Sequence, residues 1–457
     1  MQISTALATA KVHFIGIGGI GMCGLAELLH NMGAQVSGSD LSENQQTERL
    51  RELGVRVFKG HQATHLGEAE VVVYSSAVKS TNPEYQAARQ RKIPLIPRAE
   101  ALAEIMRLKR GVAVAGTHGK TTTTSLAASI FIQADLDPTV VVGGRLDLIK
   151  STACLGQGEW LIAEADESDG SFNRLAPEVV IITNIDNDHL DHYGSFTGLQ
   201  QAFFDFASRI PFYGLLVVCG DDSETLKLFS DFGKRMVTYG FSEQNDFYLV
   251  KDTSQPQGQG VKYQVYREGE LLGGIQPSLP GQHNALNSLA ALIVALEAGI
   301  QFEDAKRALA SFAGVDRRFQ KRHSRNGIES YDDYGHHPTE IKAVLNGFRE
   351  RFPGHRLVVL FQPHRYSRTQ ICWPEFLTCF EVSDLVYITD IYPAGEAPVP
   401  GITSQELCEK VQHPHCHYLP LHGTDDITPL AKELRSGDIL ITLGAGDIWK
   451  WGDRIFK

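Results

Sequence analysis

Short apolar runs alternate with segments of helical spacing along most of the chain, and they fall into three blocks. In the first, residues 12–17 read as a buried strand, 21–32 as a helix and 35–38 as a second strand. Parallel strands need a crossover between them, usually a helix, so this rhythm predicts a parallel sheet. Residues 70–74 and 94–97 predict further strands, followed by an Ala/Glu/Leu-rich helix to about Leu108. The second block restarts at Gly111, with strands expected at 112–115, 160–163 and 179–183 and a helix at 122–132. Helices are also predicted over 284–298 and 302–312. The third block carries strands at 356–361, 384–390 and 438–443, with helices between them. No short-period repeat or low-complexity tract interrupts this order.

Composition narrows the class. A chain of 457 residues holds about three domains at roughly 150 residues each. No apolar run reaches about 18 residues without glycine or charge, so no membrane span is expected, and the N-terminus lacks the basic start of a signal peptide. Seven scattered cysteines (Cys23, Cys154, Cys219, Cys372, Cys379, Cys408, Cys416) form no C-x-x-C pair, which fits neither a disulfide framework nor a zinc knuckle and favours the cytoplasm. The net charge of −11 argues against nucleic-acid binding. An anionic ligand would need local clusters of Arg, Lys and metal.

Such a cluster is visible at Gly116-Thr117-His118-Gly119-Lys120-Thr121-Thr122, between an apolar strand and a predicted helix. Glycines let backbone N–H groups converge on an anion, the helix N-terminus points at it, Lys120 adds a charge, and the Thr121 hydroxyl suits Mg²⁺. ATP is the expected guest. The early glycine of the full Walker pattern falls on Val114, so an ordinary P-loop motor or GTPase is a poor match.

Gly16-Ile17-Gly18-Gly19-Ile20-Gly21 also joins a strand to a helix, with Asp40 about twenty residues on. Taken alone it reads as an NAD fingerprint, but the physics says only that a diphosphate can approach this backbone, and a nucleotide sugar carries one too. The carboxylates from Glu164 to Asp169 follow a strand and would repel one another, which a divalent cation held by oxygen ligands would relieve; a hydrated acidic loop is the alternative. Asp186 to His192 follow another strand and could add a ligand at that edge. Asn284, in Gln282-His283-Asn284, is placed to cap a helix.

The basic stretch 316–325, with Arg317, Arg318, Lys321 and Arg322, reads as a domain boundary, where solvated linker charges are an even alternative to a functional cluster. Tyr331 to Pro338 ends a strand and starts a helix. Arg365 and Arg368 lie three apart and would converge on one anion if helical.

Together these motifs resemble the Mur ligases of peptidoglycan synthesis, end to end. The resemblance is carried by GIGGIGMCGLAELL from Gly16, SGSD to Asp40, AGTHGKTTTT from Ala115, EADESDGSF from Glu164 and TNIDNDHLDHY from Thr183. QHNALN from Gln282, DRRFQ from Asp316, YDDYGHHPTE from Tyr331 and PHRYSRT from Pro363 complete it. It implies an α/β fold of three domains: Rossmann-like at 1–107, P-loop ATPase-like at 108–314 and Rossmann-like at 315–457.

It also implies a reaction, in which the lactyl carboxylate of UDP-N-acetylmuramate attacks the γ-phosphate of ATP and the acyl phosphate is then taken by the amine of L-alanine. Positioning and charge neutralisation are the main sources of rate in such chemistry. By the resemblance, the turn 116–122 with Lys120 holds the ATP phosphates. Thr121, Glu164 and His189 ligate Mg²⁺, and His283, Asn284, Asn287, Asp333 and Arg318 complete the ATP site. Lys120, His189 and Arg318 are the implied catalytic residues. Gly18, Gly19, Ile20, Gly21, Ser39, Asp40, His61 and Ser76 are expected at the UDP-sugar, and Tyr334, His336, His364, Arg365 and Arg368 at the amino acid.

Family members that add later amino acids place a carbamylated lysine after the DH motif, whereas residues 201–210 contain no lysine, which agrees with the alanine-adding branch. A murein tripeptide-recycling ligase and an NAD-dependent dehydrogenase are the alternatives. The expected partners are small molecules only, with no nucleic acid or membrane. The chain is expected to be a monomer or homodimer, with domain closure during turnover.

Overall fold

The apolar run that begins at Val12 becomes the middle strand of a five-stranded sheet. In the computed structural model, which describes residues 9–75, 77–146, 148–149, 151–188, 190–254, 260–421 and 426–456, this strand is Lys11–Ile15. The sheet runs Arg56–Lys59, Gln35–Asp40, Lys11–Ile15, Val71–Tyr74, Leu95–Pro97, all parallel. Strand order reverses at Lys11–Ile15, and the carboxyl end of such a strand is where doubly wound sheets bind ligands. The strand stops two residues earlier than expected because Gly16, at φ +81°, turns the chain and sends the N–H groups of Gly16 and Ile17 to the Ser39 carbonyl.

Cα packing divides the chain into two units, the first comprising Met1–Val250, Tyr263–Ile275 and Leu286–Ala313 and the second Lys251–Lys262, Gln276–Ala285 and Gly314–Lys457. Besides the sheet above, the first unit carries a ten-stranded sheet. Its order is Glu270–Ile275, Tyr263–Arg267, Phe247–Lys251, Met236–Gly240, Leu215–Cys219, Val179–Ile182, Arg110–Ala115, Trp160–Glu164, Thr139–Leu146, Ser151–Cys154. The middle strands pair in parallel, and an antiparallel hairpin closes each end. Val179–Ile182 and Leu215–Cys219 are buried at every position, as parallel strands covered on both faces must be.

The end hairpin docks on the helix Ile20–Asn31. The Ser151 hydroxyl donates to Glu27 at 3.2 Å, and a Cβ on Gly24 would stand 2.7 Å from Thr152 Oγ1, so only a glycine permits this approach. The helix that opens at the first glycine turn is thereby fixed against the second sheet.

The second unit carries a six-stranded sheet in the order Gln320–Arg325, Ile328–Asp333, Asp438–Leu443, Arg356–Phe361, Leu385–Ile388, Cys416–Tyr418. Its first pair is antiparallel and the rest are parallel. Phe348, Phe361, Phe376 and Phe380 fill the core on one face.

The basic stretch 316–325 is not a solvated linker. Residues Gln320–Arg325 form the edge strand, and its charges are paired: Lys321 with Glu329 at 2.6 Å and Arg322 with Asp453 at 2.7 Å. Composition alone missed this because the partners lie on other elements. Among the described residues, no helix is long and apolar enough to cross a membrane.

Candidate active site

The turn at Gly116–Thr121 connects the buried strand Arg110–Ala115 to the helix Lys120–Gln133, with Gly119 as its N-cap at φ +84°. Both glycines hold positive φ, and at Gly116 space requires glycine as well. A Cβ on Gly116 would meet Thr183 Oγ1 at 2.1 Å, and one on Gly119 would meet Asn287 Oδ1 at 2.7 Å. The segment after Val179–Ile182 braces the turn from one side. The Asn184 side chain accepts from the His118 N–H at 2.9 Å, the Thr183 hydroxyl donates to the His118 carbonyl at 2.6 Å, and His118 Nε2 lies 3.0 Å from Asp186.

Acidic residues approach the turn from the strand Trp160–Glu164. The Thr121 hydroxyl donates to Glu164 Oε1 at 3.1 Å, and Glu164 Oε2 accepts from the Gly143 N–H at 2.8 Å. Lys120 Nζ is 2.7 Å from Glu167 Oε1 and also donates to the carbonyls of Gly116 and Thr117. Burial alone would lower the Lys120 ammonium, but Glu167, Asp166 and Glu164 outweigh it and hold the group above its ordinary value. Burial pushes Glu167 up to about 7 against the pull of Lys120. The repulsion expected among these carboxylates is thus met in part by Lys120 itself, whose partner is Glu167 of that cluster.

Arg98 also escaped motif reading, because it opens a separate helix, Arg98–Met106, far from either glycine turn in sequence. A Cβ on Gly21 would lie 2.7 Å from Arg98 Nη1, and Arg98 Nη2 is 3.8 Å from Asp166. One guanidinium therefore stands beside both the first glycine turn and the acidic cluster.

In that first turn, the Gly18 N–H donates to Asp40 Oδ2 at 2.8 Å and Asn44 donates to the Gly18 carbonyl at 3.1 Å. Gly19 caps the helix that Ile20 and Gly21 begin. Ser39 and His61 meet at 2.8 Å. Gly18, Gly19, Ile20, Gly21, Ser39, Asp40 and His61 thus belong to one corner of the sheet, whereas Ser76 and His189 lie outside the described residues.

In the second unit, His283, Arg318, Asp333 and Glu340 form one electrostatic group. Burial and Arg318 push His283 down to about 4, so it is neutral near pH 7. Burial raises Asp333 to about 6 against Arg318, and its two oxygens accept from the N–H groups of Phe319 and Gly335. Arg318 lies 4.0 Å from Glu340 and over the Tyr334 ring. The helix Gln282–Glu297 begins two residues before Asn284, so Asn284 is not its cap; its side-chain amide donates back to the Pro280 carbonyl at 2.8 Å.

Tyr334, His336 and His364 are ring neighbours, with centroids 5.4 Å and 5.9 Å apart along that chain. Burial together with Arg368 and Arg365 pushes His364 down to about 4. The two arginines leave the same turn in different settings. Arg365 precedes the helix Tyr366–Ile371 with φ +71° and pairs with Glu396 at 2.6 Å, while Arg368, inside the helix, lies 3.3 Å from His364 Nδ1.

Family models match nearly the whole chain: Mur ligase family, catalytic domain, at residues 11–110; Mur ligase middle domain at 114–295; and Mur ligase, glutamate ligase domain, at 317–446. The chain belongs to the Mur ligase family, and its architecture is the three-domain α/β fold of that family.

Relatives include the UDP-N-acetylmuramate–L-alanine ligase of Bdellovibrio bacteriovorus, 57% identical over 98% of both chains. The protein of that name from an Anaeromyxobacter species is 50% identical over 98% of this chain and 97% of its own. Among solved structures, the UDP-N-acetylmuramate-alanine ligase of Thermotoga maritima superposes with a TM-score of 0.80 at 29% identity, over 98% of each chain. A murein peptide ligase from Psychrobacter arcticus shares the fold with a TM-score of 0.72 at 23% identity.

Proposed function

We propose that this chain joins L-alanine to the lactyl carboxylate of UDP-N-acetylmuramate at the expense of ATP, in the synthesis of peptidoglycan precursors. The observation that carries the reading is the meeting of Thr121 and Glu164 at 3.1 Å beside Lys120, on a turn shaped for phosphate. The names of relatives 46–57% identical over almost the whole chain support the choice of substrates.

A carboxylate is a poor acylating agent, so it first takes the γ-phosphoryl group, with ADP leaving. The neutral amine of alanine then attacks the acyl carbon of the acyl phosphate and inorganic phosphate departs. Lys120 and the first backbone N–H groups of the helix Lys120–Gln133 orient the phosphates and offset charge that grows as the γ-phosphoryl group is transferred. Arg318 serves as a further cation for phosphate oxygens.

The oxygen donors of Thr121 and Glu164 suit Mg²⁺, with His189 as a third ligand; the ion supplies charge neutralisation when bound. His283, neutral because it is buried, suits an uncharged adenine edge, and by the family resemblance Asn284 and Asn287 are assigned to the adenine and Asp333 to the ribose. Tyr334, His336, His364, Arg365 and Arg368 take the amino acid, an arginine meeting its carboxylate. Residues 1–107 would hold the UDP-sugar, 108–314 ATP, and 315–457 alanine. Against a dinucleotide at the first turn, Asp40 already accepts from Gly18 rather than standing clear for a ribose.

The test is release of ADP and phosphate from ATP·Mg²⁺, which is expected to require both UDP-N-acetylmuramate and L-alanine. No release with both present overturns the reading. Glycine, serine and murein tripeptide belong in the same assay, and preference for the tripeptide would move the chain to the recycling branch. Binding of NADH at micromolar concentration without binding of ATP would favour a dehydrogenase instead.

A further inference from the structure

A buried carboxylate gathers three histidines next to the first glycine turn. Glu84 lies in the first turn of the helix Pro83–Gln90 and is fully buried. Its Oε1 accepts from the Gln62 N–H at 3.0 Å and lies 2.8 Å from His65 Nδ1. Its Oε2 accepts from the Ser39 hydroxyl at 2.5 Å and lies 3.3 Å from His13 Nε2. Ser39 in turn is 2.8 Å from His61 Nδ1, while the Ser39 carbonyl receives the N–H groups of Gly16 and Ile17. One residue therefore links the glycine turn to the histidine cluster.

Proton positions follow from this connectivity. Burial alone would raise Glu84, but the hydrogen bonds from His13, Ser39 and Gln62 overcome it and hold the carboxyl at about 2. An ionised carboxylate only accepts, so each neighbour must present a proton to it. Ser39 has a single hydroxyl proton and spends it on Glu84. Its oxygen must then accept from His61, which places a proton on His61 Nδ1. Among the described residues, His61 Nε2 takes part in none of the bonds that hold the ring, and the side chain is 12% exposed. A neutral imidazole protonated at Nδ1 carries its lone pair at Nε2.

We propose that Glu84 is a positioning residue which, through Ser39, holds His61 as the Nδ1–H tautomer, so that His61 Nε2 accepts an N–H or O–H of the nucleotide sugar. The inference rests on the assignment of this sheet to UDP-N-acetylmuramate. Phosphate oxygens offer no proton at neutral pH, so the donor is either the imide N–H of the uracil or a hydroxyl of the ribose, both of which UDP itself carries.

The tautomer is read directly by two-bond ¹⁵N–¹H correlation spectroscopy of the histidine rings, in the full chain without nucleotide. At about pH 8.5, where imidazoles carry a single ring proton, the wild type is expected to show that proton of His61 on Nδ1. Glu84→Gln is expected to shift that pattern, and so is Ser39→Ala, which leaves His61 Nδ1 only its longer approach of 3.6 Å to Glu84 Oε2. UDP affinity should fall about tenfold in each, the worth of one hydrogen bond, with ATP affinity unchanged. Titration with N3-methyl-UDP separates the sources: weakened binding to the wild type assigns the donor to uracil, and equal binding assigns it to a hydroxyl.

Protonation of His61 at Nε2 or at both nitrogens in the wild type overturns the proposal, as does unchanged UDP affinity in both folded variants. Failure of the wild type to bind UDP would instead overturn the substrate assignment, and the tautomer measurement would still decide the relay.

Discussion

Glu167 holds the ammonium of Lys120, with Oε1 2.7 Å from Nζ, while the carbonyls of Gly116 and Thr117 accept from the same group at 2.7 Å and 3.1 Å. The three protons of an ammonium thus have three partners inside the chain. The charge meant for phosphate is held in readiness by an acid, and removing either partner has separable consequences.

Lys120→Ala is expected to abolish acyl phosphate formation, with turnover down by at least about 10²-fold, the usual scale for one preorganised electrostatic contact. ADP release assayed with both co-substrates saturating checks this. Activity within threefold of wild type would contradict the role assigned to Lys120.

Glu167→Gln leaves the shape of the pair but strands a buried ammonium, and breaking a buried pair costs about 3–5 kcal/mol. The loss of stability should be large in the ligand-free protein and smaller with ATP·Mg²⁺, whose phosphates replace the missing charge. Urea midpoints measured with and without nucleotide give the comparison. An equal loss in both states would show that Lys120 does not exchange Glu167 for phosphate.

Glu84 gives the fold an acid-sensitive component. Its carboxyl titrates at about 2 in the folded chain against an ordinary value of 4.5, so its stabilisation is fully present above 4.5 and is lost as pH falls toward 2. The amount is on the order of 3 kcal/mol. Unfolding followed from pH 6 down to about pH 2 should show a steeper decline for the wild type than for Glu84→Gln. Parallel curves would remove Glu84 from the account.

Glycine substitutions should separate space from conformation. Gly116, at φ +128°, would put a Cβ 2.1 Å from Thr183 Oγ1, whereas Gly54, at φ +92°, has nothing within 4 Å. Gly54→Ala should cost about 1 kcal/mol and Gly116→Ala about 3 kcal/mol or more, with loss of ATP binding. Thermal denaturation and nucleotide titration of the two variants test the difference.

Arg368→Ala is expected to raise the KM for alanine about tenfold or more while ATP binding stays near normal, because a charged hydrogen bond is worth about 1.5–3 kcal/mol. Steady-state kinetics with each substrate varied in turn are the check. Equal losses of ATP affinity in Arg368→Ala and Lys120→Ala would contradict this division of labour.

The glycine turns were legible in the chain because a strand, a turn and a helix are short-range objects. Apolar periodicity marks the two elements, and only glycine tolerates the backbone between them. The order of motifs from Gly16 to Arg368 was specific enough to indicate the Mur ligases, and the family models agree. Element ends were less legible. The first strand stops at Ile15 rather than residue 17 because the Ser39 carbonyl, on a neighbouring strand, captures the next two N–H groups.

Side-chain partners were not legible at all where strand order and docking decide them. Arg98 meets Asp166 and the space over Gly21; Ser151 meets Glu27 across 124 residues; Arg322 meets Asp453; and Arg365 meets Glu396. Local sequence prescribes which residues can make a helix, a strand or a phosphate turn, since those depend on torsion angles and spacing over a few positions. Which charge meets which depends on the path of the whole chain, and a buried ion such as Glu84 is stable only when that path delivers every donor around it.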